Sequence, residues 1–296
     1  MGLWVWVLAA GAAAAEPRTD HVLSGPREGY GESVTVRWSL TLVNRSDVVL
    51  PRPEIRCLVP VRQTSTQLCR SVRASECGSL SEDAFGNQVL ACRTPDLPPL
   101  GRARIAFSAA LDLASEPVPI PANRAGDGAG FLAPEAGIES DAPAVLALAT
   151  SLVGDAGSSG DRTAAFSSWI ASSLQHTGYN ATDRGALWAL AKRGGDCSDY
   201  AALLTALCRA GGIPARRVLG VALPASGGAI ARGDLHVWVE FLPAEGWRPL
   251  DPLKRLSAVR RPVAFALLAP ESLPVTALSS KLFLCDTADV EVRLDT

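Results

Sequence analysis

The stretch Arg193-Gly-Gly-Asp-Cys-Ser-Asp-Tyr-Ala-Ala-Leu-Leu-Thr-Ala-Leu-Cys-Arg-Ala-Gly-Gly-Ile-Pro214 constrains this chain more than any other. Tyr200, Leu203, Leu204, Leu207 and Cys208 recur at the spacing of one buried helical face. Asp196 is placed to cap that helix, and Gly211, Gly212 and Pro214 form a stop signal. Cys197 therefore falls in the first turn of a helix whose body is core. A helix start offers unpaired N–H groups and a partial positive charge, which favour thiolate and can hold a developing oxyanion. Asp196 and Asp199 work against the thiolate, so a nucleophilic Cys197 requires a histidine partner.

Three histidines are available, His21, His176 and His236. His21 and His176 read most simply as surface residues. His236 lies in Asp234-Leu-His-Val-Trp-Val-Glu-Phe-Leu242, an alternating run rich in β-branched and aromatic residues, which predicts a strand. His236, Trp238 and Glu240 share one face of it. Pro243 to Gly246 predicts a turn, followed by Trp247-Arg-Pro-Leu-Asp-Pro252. A hairpin centred near Pro243–Ala244 sets position 236 against 251 or 252, so Asp251 is expected beside His236. An imidazole that takes a proton from a thiol and returns it to a leaving group needs such a carboxylate to hold its tautomer.

Gly195-Asp-Cys-Ser-Asp-Tyr-Ala-Ala-Leu-Leu204, Ala210-Gly-Gly-Ile-Pro-Ala-Arg216, His236-Val-Trp-Val-Glu240 and Gly246-Trp-Arg-Pro-Leu-Asp-Pro252 together resemble the transglutaminase-like superfamily. The likeness spans roughly residues 140 to 255, with the Cys, His and Asp blocks in that family's order. The resemblance implies Cys197 as nucleophile, His236 as general base and acid, and Asp251 as the orienting carboxylate. It also implies a papain-like α+β core, the cysteine helix packed on an antiparallel sheet that bears the other two. Tyr179 lies upstream, where some relatives place an aromatic that helps the oxyanion hole. Trp238, on the face of His236, is a second cleft candidate, although tryptophans at such positions are more often core. The family contains transglutaminases, proteases, amidases and members without catalysis, so it implies the mechanism more closely than the substrate. No coenzyme A signature or zinc-binding cysteine pair accompanies the motifs, unlike arylamine acetyltransferases and peptide N-glycanases respectively.

Ahead of this region the period changes. Val34, Val36, Trp38, Leu40 and Leu42 alternate with Thr35, Arg37, Ser39 and Thr41, a half-buried strand. Further strands are expected in Pro53–Pro60, Asn87–Cys92 and Ala103–Asp112, punctuated by Pro, Gly and Asn, as in an all-β sandwich. Asp83-Ala-Phe-Gly-Asn87 looks like a turn of β domains that precede some bacterial transglutaminase-like domains. The fold expected is thus α+β, a papain-like transglutaminase core preceded by an all-β sandwich. Its parts are a signal peptide over residues 1–15, a β-sandwich domain over 16–114, a linker over 115–140 and the catalytic domain over 141–296. Helices in the last part are expected from Asp141–Pro143, from an Asp161 cap, and from a Thr182 or Asp183 cap.

Residues 1–15 form an apolar run ending in small residues before Glu16, the pattern of a cleaved export signal. No later segment is long and apolar enough to span a bilayer, and the Ala-, Gly- and Arg-rich composition reads as bacterial, so the expected location is periplasmic or secreted. An exported β domain with Cys57, Cys69, Cys77 and Cys92 suggests disulfides, Cys57–Cys92 and Cys69–Cys77 being the favoured pairing of three. Cys208 and Cys285 read as core thiols. No C-x-x-C pair occurs and the histidines are scattered, so neither metal nor cofactor is expected. A net charge of −2 gives no reason to expect nucleic acid. The expected partner is a protein or peptide substrate, with the β domain as the part that could meet the cell envelope. The expected activity is acyl transfer from a peptide amide through a thioester, with release to water favoured over an amine acceptor. The alternatives are transglutaminase cross-linking and a non-catalytic binding module that keeps the fold.

Overall fold

The structure, a computed structural model, describes residues 19–23, 28–76, 78–120, 128–154, 157–180, 183–224, 228–230, 234–253, 260–268, 283–285 and 287–295. The expected signal peptide, Cys77 and the middle of the expected linker lie outside these residues. In chain order the strands of the first region are β1 (Thr19–Val22), β2 (Glu32–Asn44), β3 (Glu54–Val59), β4 (Gln67–Ala74), β5 (Leu80–Glu82), β6 (Gln88–Arg93) and β7 (Arg102–Leu113). There follow α1 (Pro143–Val153), α2 (Ser159–Ser173), β8 (Gln175–His176), α3 (Ala186–Lys192), β9 (Gly194–Gly195) and α4 (Cys197–Ala210). The chain then runs through β10 (Ala215–Pro224), β11 (Gly228–Ala229), β12 (Leu235–Phe241), β13 (Arg248–Leu250), β14 (Arg260–Leu268), β15 (Phe283–Cys285) and β16 (Val290–Leu294). The fold is mixed α+β, a β-sheet region followed by a helical and sheet core. Among the described residues no helix is long and apolar enough to cross a membrane.

The alternating pattern of β2 buries Val34, Val36, Trp38, Leu40 and Leu42 as expected, with the Trp38 and Phe107 rings stacked at 5.3 Å. β2 pairs with β7 along nearly its whole length, and β4 and β1 extend the sheet beyond β7. The facing sheet runs β15-β3-β6-β5. Two strands here come from the far end of the chain. β16 pairs with β2 from Asn44 to Leu40, and β15 pairs with β3. No local pattern announces such pairings, and the expected extent of the last unit, 141–296, had both segments elsewhere.

The third sheet runs β13-β12-β10-β14, antiparallel throughout. Val239 and Phe241 of β12 and Ala215 of β10 join the core built by α1, α2, α3 and α4. Leu219, Val221, Val263 and Phe265 join the core of the β region instead. Two buried amides seal the outer edge of β14. Gln67 donates to Ala264 O at 3.0 Å and accepts from Ala264 N–H at 2.7 Å. Asn87 donates to Leu267 O at 3.0 Å and accepts from Leu267 N–H at 2.6 Å. Each amide does for an edge strand what a neighbouring strand would, and Val61 N–H adds a further bond to Ala264 O at 2.8 Å.

Several local expectations shift. The second helix is capped by Ser158, whose hydroxyl accepts from Asp161 N–H, because Asp161 lies at the third helical position. The third helix begins at Ala186 behind Gly185, at φ 82°, and not at a Thr182 or Asp183 cap. The expected Cys57–Cys92 disulfide is not formed, and no disulfide occurs among the described residues; Cys77, the expected partner of Cys69, lies outside them. In the β3–β6 register Cys57 faces Leu90 and Cys92 faces Ile55, a diagonal too wide for a bridge without backbone movement.

Candidate active site

Asp196 caps α4 in β-region geometry, as the sequence predicts. Its Oδ1 accepts from Ser198 N–H at 3.0 Å, and Asp199 returns the favour by accepting from Asp196 N–H at 2.9 Å, a reciprocal capping box. Cys197 is thus the first residue of a firmly started helix. The same cap occupies the Ser198 and Asp199 N–H groups, two of the donors that a helix start would otherwise offer an oxyanion. Behind the cap, Asp199 is fully buried and paired with Arg184, whose guanidinium also lies 3.8 Å from the Trp188 ring centre. Burial raises the Asp199 carboxyl above its ordinary range, and Arg184 opposes that rise. The close approach requires glycine at position 195, since a Cβ there would stand 2.5 Å from Asp199 Cβ.

His236 sits on β12, and both its ring and the Asp251 carboxylate are almost wholly buried. Asp251 Oδ2 stands 3.0 Å from His236 Nε2. The other carboxylate oxygen, Oδ1, accepts from Leu253 N–H at 3.0 Å, fixing the carboxylate plane. The strand register differs from the expected one. Val239 pairs with Leu250, so one step further Asp251 falls level with Trp238, and it reaches His236 on the diagonal. A diagonal pair on one face is still within reach of side chains of this length. Neither ring nitrogen makes a well-aligned hydrogen bond among the described residues; with Nε2 3.0 Å from Asp251, Nδ1 is the one left for a thiol.

Cys197 and His236 line one cavity of about 130 Å³, which Tyr179, Asp196, Asp183 and Arg217 also border. Tyr179 stands at its lip, largely exposed, on a loop tied to the helix start by Asn180 N–H donating to Asp196 Oδ2 at 2.8 Å. Trp238 does not border it. That ring is buried among Val61, Val218, Ala264 and Leu267, filling the space that Gly220 leaves open. A Cβ on Gly220 would come 2.6 Å from it. Its role as a cleft residue gives way to packing beneath His236, the two rings 6.3 Å apart at 29°. Glu240, on the same strand face, is engaged elsewhere, accepting from Arg216 at 2.7 Å. Arg217 was not singled out by the sequence, and Asp183 only as a candidate helix cap. Arg217 sits in a run of apolar strand residues, and the only signal was a charge where alternation calls for core.

Burial separates the thiols. Cys208, on the same helix, is fully buried and its thiol is pushed up to about 12, as is that of Cys69. Cys197 is half-buried and open to the cavity.

Against known proteins, residues 146–252 match the sequence pattern of the transglutaminase-like superfamily. No curated protein matches the chain. Among solved structures, a candidate cysteine protease from Cytophaga hutchinsonii is similar at 17% identity and a TM-score of 0.58, over 89% of this chain and 92% of that one. The periplasmic domain of TgpA from Pseudomonas aeruginosa overlaps at 19% identity and a TM-score of 0.36, over 82% and 89%. A candidate protease from Parabacteroides distasonis gives 12% and 0.34, over 76% and 48%. The first supports the fold, and the other two overlap too loosely to carry an argument. Residues 146–252 of this chain are a transglutaminase-like superfamily core, set behind an N-terminal β-sheet region.

Proposed function

We propose that this protein is a cysteine-dependent acyl-transfer enzyme that hydrolyses peptide amides. The observation that carries the reading is the 3.0 Å approach of Asp251 Oδ2 to His236 Nε2, with Nδ1 left for a cavity that Cys197 shares. His236 takes the Cys197 proton, and the thiolate sulfur attacks the amide carbonyl carbon. The tetrahedral intermediate collapses as His236 returns the proton to the leaving amine, giving a thioester. Water then attacks the thioester, losing its proton to His236, and the acid leaves as the thiol is restored. Asp251 holds the imidazole in the tautomer that serves both halves. Because the Asp196 cap takes the Ser198 and Asp199 N–H groups, the Tyr179 hydroxyl is assigned as an oxyanion donor from across the cavity.

Hydrolysis is favoured over amine transfer because water is in excess at a cavity open to solvent. Export through the apolar run at residues 1–15 is part of the same proposal, and the β region is its candidate contact with the cell envelope. The test is incubation with glutamine- and asparagine-containing peptides, with and without a primary amine, read by mass. Cleaved or deamidated product that disappears in Cys197→Ala is expected. Product carrying the amine in preference to water would replace hydrolysis by cross-linking, and no product from a broad peptide set would favour a binding module.

A further inference from the structure

We propose that Arg217 selects the substrate by receiving a carboxylate, from an acidic side chain or a free C-terminus, in the cavity beside Cys197. The inference rests on the peptide acyl-transfer reading above. Leu219, Leu235, Val237 and Leu268 give the cavity an apolar wall, and Arg217 is the guanidinium that borders it. Arg217 projects from β10, where its neighbours in register are Val239 and Leu268. Its side chain is only 11% exposed, and Nη1 donates to Asp183 Oδ2 at 2.7 Å.

The two halves of this ion pair are held very differently. Asp183 is 52% exposed, whereas Arg217 is packed into the wall. A substrate carboxylate can take the place of Asp183 at little cost: the guanidinium keeps an anionic partner, and the displaced carboxylate returns to water. A cationic substrate group would have to draw Asp183 away and leave a mostly buried guanidinium without a carboxylate, which is unfavourable. The other carboxylate at the cavity, Asp196, does not compete, since Oδ1 accepts from Ser198 and Asp199 N–H and Oδ2 from Asn180 N–H. Asp183 thus holds the site in its unloaded form, and the selectivity is a difference between two displacements.

The test needs no known substrate. Full-length protein is alkylated with iodoacetate or with its neutral counterpart iodoacetamide, in each case the Cys197 sulfur displacing iodide, and the rate is read from the mass of the Cys197 peptide. The acid-to-amide rate ratio is compared with that of glutathione. A ratio about tenfold above glutathione is expected, as one well-placed partly buried charge provides. It should fall by about that factor in Arg217→Gln, persist in Arg217→Lys and rise in Asp183→Asn. Attraction by a protonated His236 is common to all variants and does not imitate this pattern. Asp183 is an exposed position, so Asp183→Asn carries the test should Arg217→Gln fail to fold. A ratio unmoved in Arg217→Gln, or unmoved in Asp183→Asn where the glutamine variant is unfolded, overturns the proposal.

Peptides with Glu, Gln or Lys beside the cleaved amide, with free or amidated C-termini, separate the two carboxylate sources. Turnover without preference for either carboxylate, or with preference for Lys, refutes the inference and leaves the acyl-transfer reading standing. Absence of turnover, with an alkylation ratio that still follows Arg217, refutes that reading and leaves an anion-binding cavity.

Discussion

Asp251 divides its two oxygens between Leu253 N–H and His236, and the division makes a clean substitution available. Asp251→Asn can keep the carbonyl oxygen on Leu253 N–H while presenting an amide N–H₂ to Nε2. The ring then loses the acceptor that sets its tautomer, and the expected result is a fall in kcat of roughly 10²–10⁴ with the melting temperature nearly unchanged. Steady-state kinetics and calorimetry on the same preparation decide it; equal turnover would mean another group orients His236. The sequence put Asp251 near His236 through hairpin arithmetic, and the contact is there although the register is not the one expected. The arithmetic assumed a symmetric turn, whereas the pairing observed brings the carboxylate in diagonally.

At the scale of elements, α4 depends on a buried carboxylate. Asp199 completes the cap of the helix that presents Cys197, and Arg184 is its counter-ion. Arg184→Gln leaves that carboxylate without a cation, at an expected cost of about 3 kcal/mol. The loss should depend on pH. Asp199 is already raised in the folded state by desolvation, and removing Arg184 raises it further. A carboxyl whose folded value exceeds its unfolded value binds more protons folded than unfolded, so stability falls as pH rises from the ordinary 3.8 through the raised value. Denaturant unfolding should therefore find Arg184→Gln closer to the parent at about pH 5 than at about pH 7.5. An equal deficit at both values would show that Arg184 acts through packing on Trp188 alone. The body of α4 was readable because its buried residues repeat at helical spacing. The Arg184 contact was not, since it joins a loop to a helix through folding of the chain between them.

Over the whole molecule, the β region and the helical core are joined by the amides of Gln67 and Asn87 on the edge of β14. Asn87 closes the Asp83–Asn87 turn, where Asp83 Oδ1 accepts from Asn87 N–H at 2.9 Å, so the turn aims its amide at Leu267. Asn87→Ala strips a buried N–H and C=O of their partners at once, and about 2–4 kcal/mol should be lost. Gln67→Ala strips only the Ala264 N–H, because Ala264 O keeps the Val61 N–H at 2.8 Å, so a smaller loss is expected there. A melting temperature unchanged in both variants would show that the edge is satisfied by water. Because β14 pairs with β10, which in turn pairs with β12, either variant is also expected to weaken the hold on His236 and Arg217, seen as a lower kcat/KM on any peptide found to be a substrate.

The sequence by itself determined what depends on near neighbours along the chain. The helix start at Cys197, the alternation of β2 and β12, and the order of the Cys, His and Asp blocks are all short-range patterns that local geometry must obey. Tertiary structure decided what depends on which edges meet. It returned β15 and β16 to the N-terminal sheets, set Cys57 and Cys92 on a diagonal in place of a bridge, and buried Trp238 beneath His236. It also brought Asp183 and Arg217 to the cavity that holds Cys197. A strand's own residues specify that it pairs and which face is apolar, but the identity of its partner is set by the whole core competing for the same edges.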